Sequence, residues 1–316
     1  MNIFAAVPVI SGPQKDMKKE KLFWLVSTEH LENRLWFRDD EDFKTGMNYV
    51  AAQAASSYVS VLAFILMSNH VHFVLFGTHE ETLAFANSFK MRFARFVRRK
   101  YGQKEFLRRN CVDLRVLSRN DEGVERGIAY VHMNSVAANI CSAPNQYQWG
   151  SGNVLFNQLK PEGRRLGSVS ERERKRLLHC SVEMPSHWLL GHEGYILPSS
   201  FVARKEAEII FHTPKRMNYF LSSSSKARKM LVSKEDSMPS FRDQIVVAAV
   251  PDLCRTLFGR ESLDGLEPYQ IGEVLRQIRY RFSSNVDQIA RVAGLSYSEA
   301  ARLLDQMHLS SQNMGR

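Results

Sequence analysis

YVSVLAFILMSNHVHFVLFG, residues 58–77, is the stretch that decides the fold. Two runs rich in β-branched and aromatic residues, Tyr58–Met67 and His70–Gly77, flank the turn-forming pair Ser68–Asn69. The stretch reads as a β-hairpin. Its second strand carries His70 and His72 around a single valine. Strand side chains alternate with period two, so both imidazoles point to one face. Two imidazoles side by side can hold one divalent cation. The plainer alternative is a pair of histidines on the solvated face of a sheet.

The flanking segments set this hairpin in a larger order. Lys21–Thr28, KLFWLVST, reads as a strand. Asp39 and Asp40 mark a helix start, and Phe43, Met47 and Val50 continue it at helical spacing to about Ser57. Downstream, Phe85, Phe89, Phe93 and Phe96 line one side of a long helix that Gly102 closes. Val112–Leu117 is a further strand and Asp121–Ile140 a further helix. The order β-α-β-β-α-β-α predicts an α+β fold, a ferredoxin-like antiparallel sheet backed by helices.

This first domain spans 20–153. Composition shifts after Trp149, where KPEGRRLGSVSERERKR is polar and basic, and 154–240 reads as an extended connector with linkers at Asn218–Ser225 and Ser233–Ser240. From Phe241 the pattern is helical throughout, giving a C-terminal all-α domain over 241–310.

Bulk properties narrow the classes. The chain has 316 residues, 44% of them hydrophobic and 24% charged, as expected of a globular protein. No apolar run approaches the ~20 residues of a membrane span, which argues against a membrane partner. The N-terminus lacks the basic start and small-residue cleavage site of a signal peptide. Four scattered cysteines, with no CxxC pair, argue against a disulfide framework or a cysteine zinc site and fit a reducing cytoplasm. The net charge of +10 points to a polyanionic partner.

A second signal lies in IAYVHMNSV, residues 128–136, where Tyr130 and Asn134 stand one helical turn apart. An amide oxygen is a plausible metal ligand, and a phenol beside a metal a plausible nucleophile. Tyr130 alone would read as a packed aromatic. His132 falls on a different helix face and reads as structural. Trp149 reads as packing.

Together, FILMSNHVHFVLFG, AYVHMNSVAANI and YQWGS, in this order and spacing, resemble the single-tyrosine HUH transposases, nearest the REP-associated tyrosine transposases. The resemblance covers residues 21–153. It implies the HUH nuclease fold, with His70, His72 and Asn134 as ligands of Mg²⁺ or Mn²⁺. It implies that Tyr130 attacks a phosphate of single-stranded DNA at a hairpin-forming end, giving a 5′-phosphotyrosine and a free 3′-OH. Two positions depart from the family: Ser68 and Ser135 stand where proline is usual.

Charge is concentrated beside these motifs. Between Phe85 and Arg119 there are eleven basic residues, Lys104 among them, against Glu105 and Asp113. From this run, Lys90, Arg92, Arg95, Arg99, Arg108, Arg109 and Arg115 are the candidate phosphate contacts, which would position DNA without specifying its sequence. In the C-terminal region, Asn285–Met307 reads as a helix-turn-helix, with Gly294 in the turn and Ser296 capping the second helix. Ser296, Tyr297, Ser298 and Arg302 would face the major groove of duplex DNA, with Arg276, Arg279 and Arg281 near phosphates.

The leading expectation is therefore a metal-dependent DNA transesterase, cytoplasmic and nucleoid-associated, acting as a monomer or homodimer on single-stranded or hairpin DNA. The alternative is a non-cutting DNA-binding regulator acting through the helix-turn-helix. A third reading is a metal-dependent hydrolase in which Tyr130 is only structural.

Overall fold

The structure is a computed structural model and describes residues 20–29, 35–102, 107–138, 140–224, 243–282 and 284–313. The N-terminal leader reading, Lys104, Glu105 and the linker expected at 233–240 lie outside the described residues.

The first unit runs β1 (Leu22–Ser27), α1 (Asp40–Ser56), β2 (Ser60–Met67), β3 (His70–Gly77), α2 (His79–Tyr101), β4 (Asp113–Leu117) and α3 (Gly123–His132). Its four strands form one antiparallel sheet in the order β2-β3-β1-β4. The fold is thus α+β, with the chain order of a split βαβ arrangement. The hairpin register pairs Met67 with His70 across the turn.

The two faces of the sheet are covered by different helices. Phe73 packs edge-on against Phe85 and Phe89 of α2, at 5.5 and 5.6 Å between ring centroids. Its neighbour His72 points the other way and meets Tyr130 of α3. Thr78 caps α2 through a reciprocal capping box with Glu81, and Gly102 ends it at φ 69°, a left-handed conformation that favours glycine. The β2 edge is covered: Leu66 N–H donates to the Trp149 carbonyl at 2.8 Å, and Ala203 N–H donates to that of Val61 at 2.8 Å. Trp149 is buried and stacks on Phe43 of α1. The opposite edge, β4, is short and carries exposed Asp113 and Arg115, a usual defence against edge pairing.

Three expectations are corrected. The helix containing Tyr130 ends at His132, and a separate turn, α4 (Asn134–Ala137), follows Met133. Residues 154–224 are not an extended connector. They contain the two-stranded pair β5 (Arg164–Arg165) and β6 (Leu189–Leu190), with α5 (Glu171–Leu178), α6 (Arg204–Phe211) and α7 (Pro214–Ser223). Leu166, Val169, Leu178, Trp188 and Ile196 join Ala51 and Ala52 of α1 in a small core. Its apolar residues are too sparse and aperiodic to stand out from the surrounding charge. Finally, the linker expected at Asn218–Ser225 is mostly helix, because Thr213 caps α7, Pro214 fills its first turn, and Met217 and Phe220 bury one side.

The last described elements are α8 (Asp243–Phe258), α9 (Pro268–Phe282), α10 (Val286–Ala293) and α11 (Tyr297–Asn313). They share a core of Val246, Leu253, Val274, Leu275, Ile278, Ile289, Ala300, Leu303 and Leu304. No helix among the described residues is long and apolar enough to cross a membrane.

Candidate metal centre

β3 presents His70 and His72 to the α3 face. Thr28, just past β1, pins the valine between them: Val71 N–H donates to Thr28 Oγ1 at 3.0 Å, and Thr28 N–H returns a bond to the Val71 carbonyl at 3.2 Å. This places Glu29 at the histidines, although it is remote in sequence. Side-chain donor atoms of Glu29, His70 and His72 all lie within 4.8 Å of one another. His72 Nε2 is 3.6 Å from Glu29 Oε2, and the two imidazole rings are 4.8 Å apart and nearly perpendicular. His72 is fully buried, so the pair does not sit on a solvated sheet face. His70 Nδ1 lies 2.9 Å from Asn69 Oδ1. An amide oxygen only accepts, so this contact favours the hydrogen on Nδ1, and in the neutral ring that leaves Nε2 as the nitrogen able to bind a cation.

Tyr130 adjoins this cluster. Its ring lies 5.3 Å from that of His72 at an interplanar angle of 82°, and its hydroxyl donates to Glu29 Oε2 at 2.6 Å. Burial first, then the bond to Glu29 and its negative charge, raise the phenol's pKa above the ordinary tyrosine value; Arg115 opposes this and Asp113 adds to it. A cavity of about 480 Å³ opens beside Tyr130, lined also by Glu122, Arg126, Tyr219 and Phe220. α7 forms its far wall and is tied to α3 by Arg216, which donates to Glu122 at 3.1 Å and Glu125 at 2.9 Å.

Two imidazoles and a carboxylate form a mixed nitrogen and oxygen set that could hold a divalent metal ion. The third member gathered with the histidines is Glu29, which sequence reading missed. Asn134 lies one turn after Tyr130, and its amide nitrogen donates to the carbonyls of Tyr130 at 2.8 Å and Val131 at 3.3 Å, bracing the break between α3 and α4. His132 is turned away and fully buried, with Nε2 at 3.0 Å from Ser151 Oγ, and burial lowers its pKa to about 4.

The basic set divides. Lys90 is corrected: it is 3% exposed, and its ammonium donates to the carbonyls of Arg108 and Cys111 at 2.7 and 2.9 Å. A lysine so enclosed closes a loop rather than meeting a phosphate. Arg95, Arg99, Arg108, Arg109 and Arg115 are exposed and Arg92 is half-buried. α2 lies across the sheet from Tyr130, whereas Arg115 of β4 opposes the rise in the Tyr130 phenol's pKa.

In the C-terminal helices, Gly294 ends α10 at φ 69°, and Ser296 Oγ accepts from Glu299 N–H at 3.2 Å. Ser296, Tyr297, Ser298 and Arg302 are all exposed. Arg276 is held by Glu273 at 2.6 and 2.8 Å.

Compared with protein-family models, with curated proteins and with solved structures, the chain has no match.

Proposed function

We propose that this chain is a transposase-like, metal-dependent transesterase that nicks and rejoins single-stranded DNA through Tyr130. One observation carries the reading: a half-buried phenol donates a 2.6 Å hydrogen bond to Glu29, itself grouped with His70 and His72. The Glu29 carboxylate gives that hydroxyl a proton acceptor already in place, beside the donor atoms of the two histidines. The sequence resemblance to single-tyrosine HUH transposases supports the same chemistry and supplies the substrate class, a hairpin-forming DNA end.

Each residue then has a part in the chemistry. Tyr130 Oη attacks the phosphorus while Glu29 accepts its proton. The bond from phosphorus to the 3′-oxygen breaks, the leaving oxygen takes up a proton, and the 5′-phosphate remains on Tyr130. Attack by a 3′-OH reverses the step, re-forming the phosphodiester and freeing the phenol. One phosphate ester is exchanged for another, so no nucleotide triphosphate is consumed. His70, His72 and Glu29 would hold the metal ion, which when bound polarises a phosphate oxygen and offsets charge in the transition state. Arg115 adds a positive charge on the same side of the sheet. The strand would run past Tyr130 into the cavity between α3 and α7.

A second reading rests on the exposed start of α11 beside the Gly294 turn: a DNA-binding regulator that does not cut. The two separate in a denaturing gel of labelled hairpin oligonucleotides incubated with Mn²⁺ or Mg²⁺. The transesterase gives a metal-dependent covalent protein–DNA band that disappears in Tyr130→Phe. Cutting that survives in Tyr130→Phe identifies a water-using hydrolase. Binding without cutting across a panel of hairpins supports the regulator.

A further inference from the structure

Asp243, the first residue of α8, is 5% exposed. Isolated burial of a carboxylate is costly, and such a group persists where donors saturate it. Here three side chains do so. Oδ2 accepts from Ser68 Oγ at 2.6 Å and from Arg291 Nε at 3.1 Å. Oδ1 accepts from Gln288 Nε2 at 2.9 Å and from Arg291 Nη2 at 3.3 Å. The N-terminus of α8 adds its partial positive charge.

These donors come from two distant parts of the chain. Gln288 and Arg291 lie on α10, the helix that leads into the exposed start of α11. Ser68 lies in the turn between β2 and β3, two residues before His70. That turn is fixed from its other side as well. The Ser68 carbonyl accepts from the amides of Trp36 at 2.7 Å and Phe37 at 3.0 Å, and Gln244, next to Asp243, donates to the Phe37 carbonyl at 2.8 Å. Asn69 then orients His70 through its 2.9 Å contact with Nδ1. A shift of Ser68 is passed to His70 through one intervening residue.

We propose that Asp243 is a positioning residue for the metal centre, and that the Ser68 hydroxyl is its point of grip. The C-terminal helices thereby hold the turn that aims His70. The same carboxylate fixes α10, so a ligand that moves α10 alters the turn and, with it, metal affinity. This inference rests on the reading of Glu29, His70 and His72 as metal ligands. It also gives Ser68, where the resembled family usually has proline, a task that proline lacks the hydroxyl to perform.

The test is Mn²⁺ binding by the full chain, read from the loss of the free-ion electron paramagnetic resonance signal. Ser68→Ala, which removes one hydroxyl, and Asp243→Asn are each expected to weaken Mn²⁺ binding roughly tenfold, as outer-shell changes do. Ser68→Thr keeps the hydroxyl and restores affinity. Thermal melts of the same proteins separate positioning from simple cohesion: lowered melting temperatures with wild-type Mn²⁺ affinity in both variants would overturn the proposal. His72→Ala is the control for the underlying reading. Wild-type Mn²⁺ affinity in that variant would remove the metal centre itself, whereas its loss together with unchanged Ser68→Ala would remove only the role of Asp243. If Asp243→Asn fails to fold, Ser68→Ala still decides the matter.

Discussion

Glu29 carries two tasks in the proposed chemistry, and both follow from where β1 ends. Its carboxylate accepts the Tyr130 hydroxyl and stands among the donors of His70 and His72. Glu29→Gln keeps the size but gives up the basic oxygen. Formation of the covalent adduct should fall roughly a hundredfold, the usual scale for removing a general base. Single-turnover kinetics at saturating Mn²⁺ measure this, and an unchanged rate would make Glu29 a bystander. The histidine pair was legible because its spacing encodes its own geometry. Glu29 was not, since it belongs to no local motif. Only the sheet order, which puts β1 beside β3, could have pointed to it.

His132 gives a pH test of the same α3 region. Its imidazole is buried neutral, with a pKa lowered from 6.5 to about 4 by desolvation. Between these values the unfolded chain binds a proton that the fold refuses, so stability falls as pH drops through that window. From pH 7 to pH 5 the cost is about 2 kcal/mol. Urea unfolding should show wild type losing more stability over this interval than His132→Asn, by about that amount. Equal losses in the two proteins would mean that His132 is protonated within the fold.

At the scale of elements, α1 and α2 are joined by charge as well as by their aromatic faces. Lys100 donates to Asp39 at 2.6 Å and to Asp42 at 2.9 Å, and it pairs with Glu41 at 2.8 Å. Burial pulls the Lys100 pKa down, but the three carboxylates outweigh it and raise it above the ordinary lysine value. Asp42 is fully buried, and desolvation raises its pKa despite these partners. Lys100→Met would leave that carboxylate inside without its cation and destabilise the chain by about 2 kcal/mol, measured by urea denaturation. The variant paired with Asp42→Asn should recover part of the loss; equal destabilisation in both would show that the pair is not coupled. Elements with strong periodicity, the β2–β3 hairpin and α2, were readable as they stand. The break after His132 was not, because the sequence there carries neither glycine nor proline and Asn134 braces it by folding back onto the preceding carbonyls. α7 was hidden by its serines, which lie at its end, past the residues that bury it.

Across the whole molecule, charge and chemistry occupy different faces. The exposed arginines of α2 lie over one side of the sheet, whereas Tyr130 and the candidate metal ligands His70 and His72 lie on the other. A strand touching both must pass round an edge, and the β2 edge is closed by residues 149–151 and 202–203. The β4 edge, with Arg115 exposed upon it, is the open route. Under the proposed function, Arg95 and Arg99 would act on the length of DNA beyond the reacting phosphate. Arg95→Gln combined with Arg99→Gln should weaken binding of a long single strand and lower the slope of log K against log salt by about 1.4, or about 0.7 for each phosphate no longer neutralised. Adduct formation on a short oligonucleotide, confined to the Tyr130 face, should proceed at the wild-type rate. Fluorescence anisotropy over a salt series, with the gel assay on the short substrate, measures both quantities. If the double variant slows the short substrate as much as the long one, DNA reaches Tyr130 by way of α2, and the route round β4 is wrong.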